Sequence, residues 1–265
     1  MIITADDVGL SPGVTRGALQ AARLGVVRSA SLIVNLPESA EAAESARAVP
    51  GLELGMHLNV LVGEPVSDPA AVPSLVDADG RFVGLAALTV RLARGAVRAR
   101  ELAREVRAQV ERARALGIPA LAWDSHRHAH LAPPIARVVA ALARELGARY
   151  VRRAALPPAP VGRAAPKRLL LAALSRASGP LYRGIGGNDW YVDLSGWSPR
   201  PRAAELAALA ELGGVGELGA HPGYVDEILT VRDTLTWPRE RELALLCDLE
   251  LCHILDAARV RHRVE

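Results

Sequence analysis

Short apolar runs alternate along the chain with segments whose apolar positions recur every three to four residues. "MIITA" ends at Asp6-Asp7 and is followed by Gly9, Ser11 and Pro12, then by "VTRGALQAARLG". This order predicts strand, loop and helix, with Ser11 as N-cap and Pro12 at the first helical position. "SASLIVN" predicts a second strand, "PESAEAAESARAV" a second helix and "LELGMHLNV" a third strand, while "LVDADGRFV" predicts a hairpin around Asp79-Gly80. An amphipathic helix over 98–116 leads through Gly117 and Pro119 to the strand "ALAWD", the helix "PPIARVVAALARELG" and the strand "RYVRR". The Pro-, Gly- and Arg-rich segment 154–200 predicts loops around one helix near 166–177. The helix "RAAELAALAELG", the strand "VGELGAH", the long helix "PRERELALLCDLELCHILDAA" and a closing strand "VRHRV" complete the pattern.

Strands that alternate with helices argue for βαβ units and a parallel sheet, and wholly apolar strands such as "SLIV" suit a sheet covered on both faces. The number of units favours a distorted, TIM-like (β/α) barrel over an open sheet. No short-period repeat or low-complexity linker divides the chain, so residues 1–265 are read as one α/β domain.

Composition narrows this further. Half the residues are hydrophobic but only 3% are aromatic, so Ala, Leu and Val must build the core. The net charge is +3 and Lys167 is the only lysine; the arginines are scattered among glutamates on helical faces. That pattern predicts an ion-paired surface and no nucleic-acid partner, which would require a clustered basic stripe. Cys247 and Cys252 lack metal-site spacing and read as buried thiols. The opening "MIITADDVGL" has no basic leader region and no apolar run reaches membrane-span length. A cytoplasmic protein without membrane association is expected.

The unusual polar residues fall at the predicted strand ends. Asp6 and Asp7 close the first strand, His57 and Asn59 the third, Asp124 and His126 the fourth, Arg152 the next and His221 a late one. In parallel α/β folds these carboxyl ends open on one face, so residues far apart in sequence converge there. Taken singly, the Asp pair could cap a helix and each histidine could be an ordinary buried residue. The segment "DSHRHAH" (124–130) is harder to dismiss, because extended backbone would point His126, His128 and His130 the same way. A carboxylate and two imidazoles leave positions open on a divalent cation, which is the arrangement of a hydrolytic site. Of the adjacent aspartates, one can ligate while the other acts as general base, and His221 is placed to be a general acid.

At these residues the chain resembles the YdjC-like carbohydrate deacetylases, which include chitooligosaccharide deacetylases. The matches are "ITADDVGLSPGV", "GMHLNV", "DSHRHAH", "VRR" (151–153), "ELGAHPG" and "WPRERELALL", in order through nearly the whole chain. Val8 stands where the family usually has Phe, and 154–200 matches poorly. The resemblance implies a barrel related to the polysaccharide-deacetylase superfamily. It further implies hydrolysis of the N-acetyl group of GlcNAc-containing sugars with one divalent ion, Mg²⁺ or Zn²⁺. It assigns Asp7, His57 and His126 as metal ligands, Asp6 as the base and His221 as the acid. It leaves Asn59, His128, His130 and Arg152 to support the ligands or contact substrate. Other readings of the same residues are a metal-dependent phosphoesterase, which would use more ligands and ions, and a non-catalytic sugar-binding relative. A homodimer is the commonest assembly for such a chain.

Overall fold

A computed structural model describes residues 1–162, 166–197, 201–255 and 260–264. Seven strands, β1 (Ile2–Val8), β2 (Ser29–Leu32), β3 (Glu53–Leu58), β4 (Ala122–Ser125), β5 (Tyr150–Val151), β6 (Trp190–Asp193) and β7 (Gly216–Ala220), form one sheet in the order β5-β4-β3-β2-β1-β7-β6. Every pairing is parallel. The sheet curls until its two edges meet. Gly186, ahead of β6, bridges Tyr150, and the Tyr191 amide donates to Ala155 O at 2.8 Å. The expected α/β barrel is therefore present in distorted form, as a seven-stranded curl.

Helices α1 (Pro12–Leu24), α2 (Ser39–Arg47), α3 (Gly84–Ala93), α4 (Ala99–Ala115), α5 (Pro133–Glu145) and α6 (Pro166–Ser178) come before β6. Then follow α7 (Ala203–Ala207), α8 (Glu227–Arg232), α9 (Arg239–Leu246) and α10 (Leu249–Ile254). As anticipated, Ser11 caps α1, its Oγ accepting from Val14 N at 3.2 Å, with Pro12 in the first turn. The hairpin at Asp79-Gly80 reduces to a Val76–Phe82 bridge around Gly80, whose φ of 77° suits glycine.

Several expectations are revised. Asp6 and Asp7 lie inside β1 instead of ending it. The single long C-terminal helix divides after Leu246, because Asp248 accepts hydrogen bonds from the Glu250 and Leu251 amides and starts α10; its predicted residues 256–258 lie outside those described. "VRHRV" makes only one bridge, Ile2–Arg261, since Arg263 turns inward to meet carboxylates. The region read as loops, 154–200, contains β6 besides the expected α6, with 163–165 and 198–200 outside the description. α3 and α8 were not anticipated. Cys247 and Cys252, expected to be buried, are half-buried thiols where the predicted helix divides.

The apolar core lies between the outer face of the sheet and the helices: Ile3, Ala5, Met56, Trp123, Val151 and Leu218 pack with Val106, Val110, Val139 and Leu246. The inner face is polar. Thr4 donates to Glu217 at 2.7 Å, Tyr150 to the other oxygen of Glu217 at 2.6 Å, and Arg152 reaches Glu217 with two nitrogens at 2.7 and 3.0 Å. Alternation along each strand thus separates an apolar exterior from a charged interior that leads up to the carboxyl ends.

Gly216 pairs in register with Trp190, and a Cβ there would lie 1.9 Å from the indole ring. Gly216→Ala must displace a buried Trp whose Nε1 donates to Gly213 O at 2.9 Å. Overpacking of this kind costs about 1–3 kcal/mol. A lowered urea midpoint is the expected result, and an unchanged one would contradict this packing.

Candidate metal centre and active site

The site begins with a fault in β1. Pairing with β2 slips between Ala5 and Val8, and Asp7 takes a left-handed φ of 66°. In a regular strand neighbouring side chains point to opposite faces, but a bulge lets two in succession reach one cavity. Asp6 and Asp7 both line it. The strained conformation is held from outside: Ile33 N donates to Val8 O at 2.8 Å, and Gly9, at φ 88°, lets the chain pass close to Ile33 O.

Asp7 Oδ1 lies 2.8 Å from His126 Nδ1 and 3.1 Å from His57 Nε2, while its Oδ2 accepts from Arg239 at 2.8 Å. Burial works to raise the Asp7 pKa, but the charges of His126 and Arg239 and the imidazole hydrogen bonds hold it well below the carboxylate range. His57 turns its other nitrogen to Asp124 at 2.6 Å. Burial disfavours the imidazolium, yet Asp124 and Asp7 overcome this and raise its pKa to about 10.

One oxygen of Asp7 and one nitrogen each of His57 and His126 lie within 4.8 Å of one another, all buried. The donor set fits a divalent cation. Each imidazole also has an outer carboxylate: Asp124 for His57, and Asp233 at 3.6 Å from His126 Nε2. Such partners fix ring orientation in metal sites. A second possible group, Asp6, His57 and Asp124, shares His57, and its carboxylates are bonded to arginines.

Asp6 faces the same cavity from a different support. Arg152 grips it with both terminal nitrogens, at 2.6 and 2.8 Å, and Ser31 Oγ donates to it at 3.1 Å. Arg152 is fully buried and also meets Asp124 at 2.9 Å. Burial works against its charge, but Asp124, Asp6 and Glu217 keep its pKa well above the usual value.

His221 follows β7, the strand beside β1 on which Ala220 pairs with Ala5, and lines the same cavity. Its Nδ1 is 2.9 Å from Ser195 Oγ, and Ser195 Oγ donates to Glu242 Oε1 at 2.6 Å. The other Glu242 oxygen accepts the His221 amide at 2.6 Å.

The triple-histidine segment is not extended. Residues 126–131 form a 3₁₀ turn in which Arg127 and His128 have φ of 53° and 55°. The three imidazoles consequently diverge. His126 enters the cation site. His128 lines the cavity beside Tyr191, with ring centroids 5.2 Å apart, and burial together with the Arg152 charge keeps it neutral. His130 turns beneath, accepting from Ser125 Oγ at 2.6 Å and donating to Arg152 O at 2.9 Å; burial lowers its pKa to about 4. Asn59 organises the following loop, accepting from the Leu61 and Val62 amides and donating to Asn35 and Val62 O. Asn59, His130 and Arg152 are thus engaged with the protein, whereas His128 reaches the cavity.

Sequence reading missed Arg239, Asp233, Glu217, Glu242 and Arg263. Some signal was available: Arg239, Glu242, Leu243 and Leu246 share one buried helical face, where two charged residues break an apolar stripe. Glu217 likewise interrupts an apolar strand.

The sequence and fold agree with known relatives. The model of the YdjC-like protein family matches residues 1–257. A carbohydrate deacetylase of Geobacillus stearothermophilus is 34% identical over 93% of this chain and 89% of its own length. A chitooligosaccharide deacetylase of Yersinia pestis (strain Pestoides F) is 33% identical, covering 93% and 90%. A crystal structure of a candidate cellobiose-phosphate cleavage protein from Enterococcus faecalis V583 superposes with a TM-score of 0.80 at 26% identity, covering 98% of this chain and 94% of that one. The chain belongs to the YdjC-like family.

Proposed function

We propose that this protein is a divalent-metal-dependent carbohydrate N-deacetylase. It hydrolyses the acetamide of a GlcNAc-containing saccharide to acetate and an amino sugar. The observation that carries the reading is the meeting, in one cavity, of a three-donor cation site with an arginine-held carboxylate and a further histidine. The names of the relatives, carbohydrate and chitooligosaccharide deacetylase, support the substrate class.

Asp7, His57 and His126 would hold the ion, either Mg²⁺ or Zn²⁺. When bound, such an ion supplies Lewis acidity toward the amide carbonyl and acidifies water. Asp6 accepts a proton from the attacking water, its position set by the two hydrogen bonds from Arg152. The water oxygen bonds to the amide carbon, the C–N bond breaks, and His221 protonates the departing nitrogen. The cavity, of about 20 Å³, has room for a water-sized group beneath the site's mouth. The sugar ring therefore stays outside, where Arg127 and Lys167 stand at the rim.

One ion distinguishes this reading from a phosphoesterase. The second possible ligand group shares His57 with the first, and Arg152 holds both oxygens of its Asp6, which favours a single site. Intact base and acid positions weigh against a non-catalytic sugar binder.

Chelation should abolish acetate release from N-acetylated oligosaccharides while leaving the circular dichroism spectrum nearly unchanged, and added divalent metal should restore activity. Full turnover by rigorously metal-free protein would sink the mechanism, and two or three ions per chain would favour the phosphoesterase.

The paired aspartates should separate. Asp7→Asn replaces an anionic donor by a weak neutral one and should lose metal on dialysis. Asp6→Asn should keep metal and lose about 10²–10⁴-fold in kcat. Metal content and kcat measured together test this; metal lost from Asp6→Asn but kept by Asp7→Asn reverses the two roles.

A further inference from the structure

Glu242 is a buried carboxylate for which no arginine or lysine partner is found among the described residues, 4% exposed and carried by α9, an element outside the sheet. An isolated buried charge is costly unless a partner offsets it. Both its oxygens are directed at one target. Oε2 takes the backbone amide of His221 at 2.6 Å, and Oε1 takes the hydroxyl of Ser195 at 2.6 Å, whose oxygen lies 2.9 Å from His221 Nδ1.

The hydrogen bonds have a consistent direction. With Glu242 ionised, Ser195 must donate to it, and Ser195 Oγ is then an acceptor for Nδ1–H of His221. Burial raises the Glu242 pKa, while His221 and the hydrogen bonds from its amide and from Ser195 act against this and favour the carboxylate; in that ionised state Nδ1 of His221 carries the proton and Nε2 is left for the cavity. When His221 is protonated, its positive charge faces a carboxylate through one hydroxyl. Asp193 adds a second negative group 3.9 Å from Nδ1, itself tied to Lys167 at 2.9 Å. Burial acts to raise the Asp193 pKa, but His221 and Lys167 hold it at about 2. Asp6, Asp7, Asp233 and Arg127 line the same cavity.

We infer that Glu242 and Ser195 form a relay that orients His221 and stabilises its protonated form, making them positioning residues for the general acid. The inference rests on the reading of His221 as that acid. In the step itself, Nε2 gives its proton to the leaving nitrogen as the C–N bond breaks. His221 becomes neutral, retains Nδ1–H toward Ser195, and recovers a proton from solvent. Ser195 and Glu242 exchange no net proton.

The test uses the metal-loaded full chain with Ser195→Ala, Ser195→Thr, Glu242→Gln and His221→Ala, assayed on an N-acetylated oligosaccharide and on an activated acetate ester. A general acid must be protonated, so kcat/KM falls as pH rises through its pKa. Losing the relay lowers that pKa, and the alkaline limb should move to lower pH by about one unit in Ser195→Ala and Glu242→Gln. Amide kcat should fall about tenfold or more with KM little changed, the ester should suffer much less, and Ser195→Thr, which keeps the hydroxyl, should restore both limb and rate. A merely structural role would move neither the limb nor the amide-to-ester ratio. If His221→Ala retains the limb and the leaving-group dependence, His221 is not the acid, and both readings fall. If His221→Ala loses them while Ser195→Ala and Glu242→Gln keep them, only the relay is overturned. Ser195→Ala decides this even if Glu242→Gln does not fold.

Discussion

The need to compensate charge in a dry interior governs this structure. Asp6, Asp124 and Glu217 are all buried on the inner face of the sheet, and one guanidinium, that of Arg152, meets all three. Leaving a buried charge without its partner typically costs about 3–5 kcal/mol. Arg152 follows β5, at one edge of the sheet, whereas Glu217 lies on β7, near the other. Only a curled sheet brings them together. The curl and the site are therefore one arrangement: the ion pairs need the curvature, and the curvature places the strand ends around a single cavity.

Local departures from regular backbone then aim the side chains. The slip in β1 at Asp7 and the left-handed residues at Arg127 and His128 sit on the wall of that cavity. Such conformations persist where the surroundings over-determine them. Asp7 is held by His57, His126 and Arg239, and Arg127 by Asp233, so the groups that form the site also fix the backbone that displays them.

Much of this was legible in the sequence, for physical reasons that differ by element. The strand-helix order and the Ser11 cap are local and could be read directly. Convergence of Asp6, Asp7, His57, His126 and His221 followed from parallel strands sharing one open end. The turn at 126–131 could not be read, because its left-handed residues are an arginine and a histidine, with no glycine to mark them. β6 was hidden by its short length among prolines and glycines. Arg239 and Arg263 were hidden by the number of arginines: they look like surface residues until the carboxylates they meet are known, whereas Arg152 stood out by its place at a strand end.

Arg263 gives the order of these partners a consequence for synthesis. It binds Asp124, the group that orients His57, and it passes so near Gly55 that a Cβ there would lie 2.1 Å from its guanidinium. In the chain it follows every other member of the network, and Arg239 also comes late. A nascent chain emerging from its N-terminal side presents Asp7 and Asp124 with His57 and, later, Arg152, but before Arg239 and Arg263 complete their compensation. The early strands therefore face dehydration of their inner face with that compensation incomplete. Final consolidation of the sheet is thus deferred until the late arginines emerge, which makes vectorial, strand-by-strand folding unfavourable for this protein.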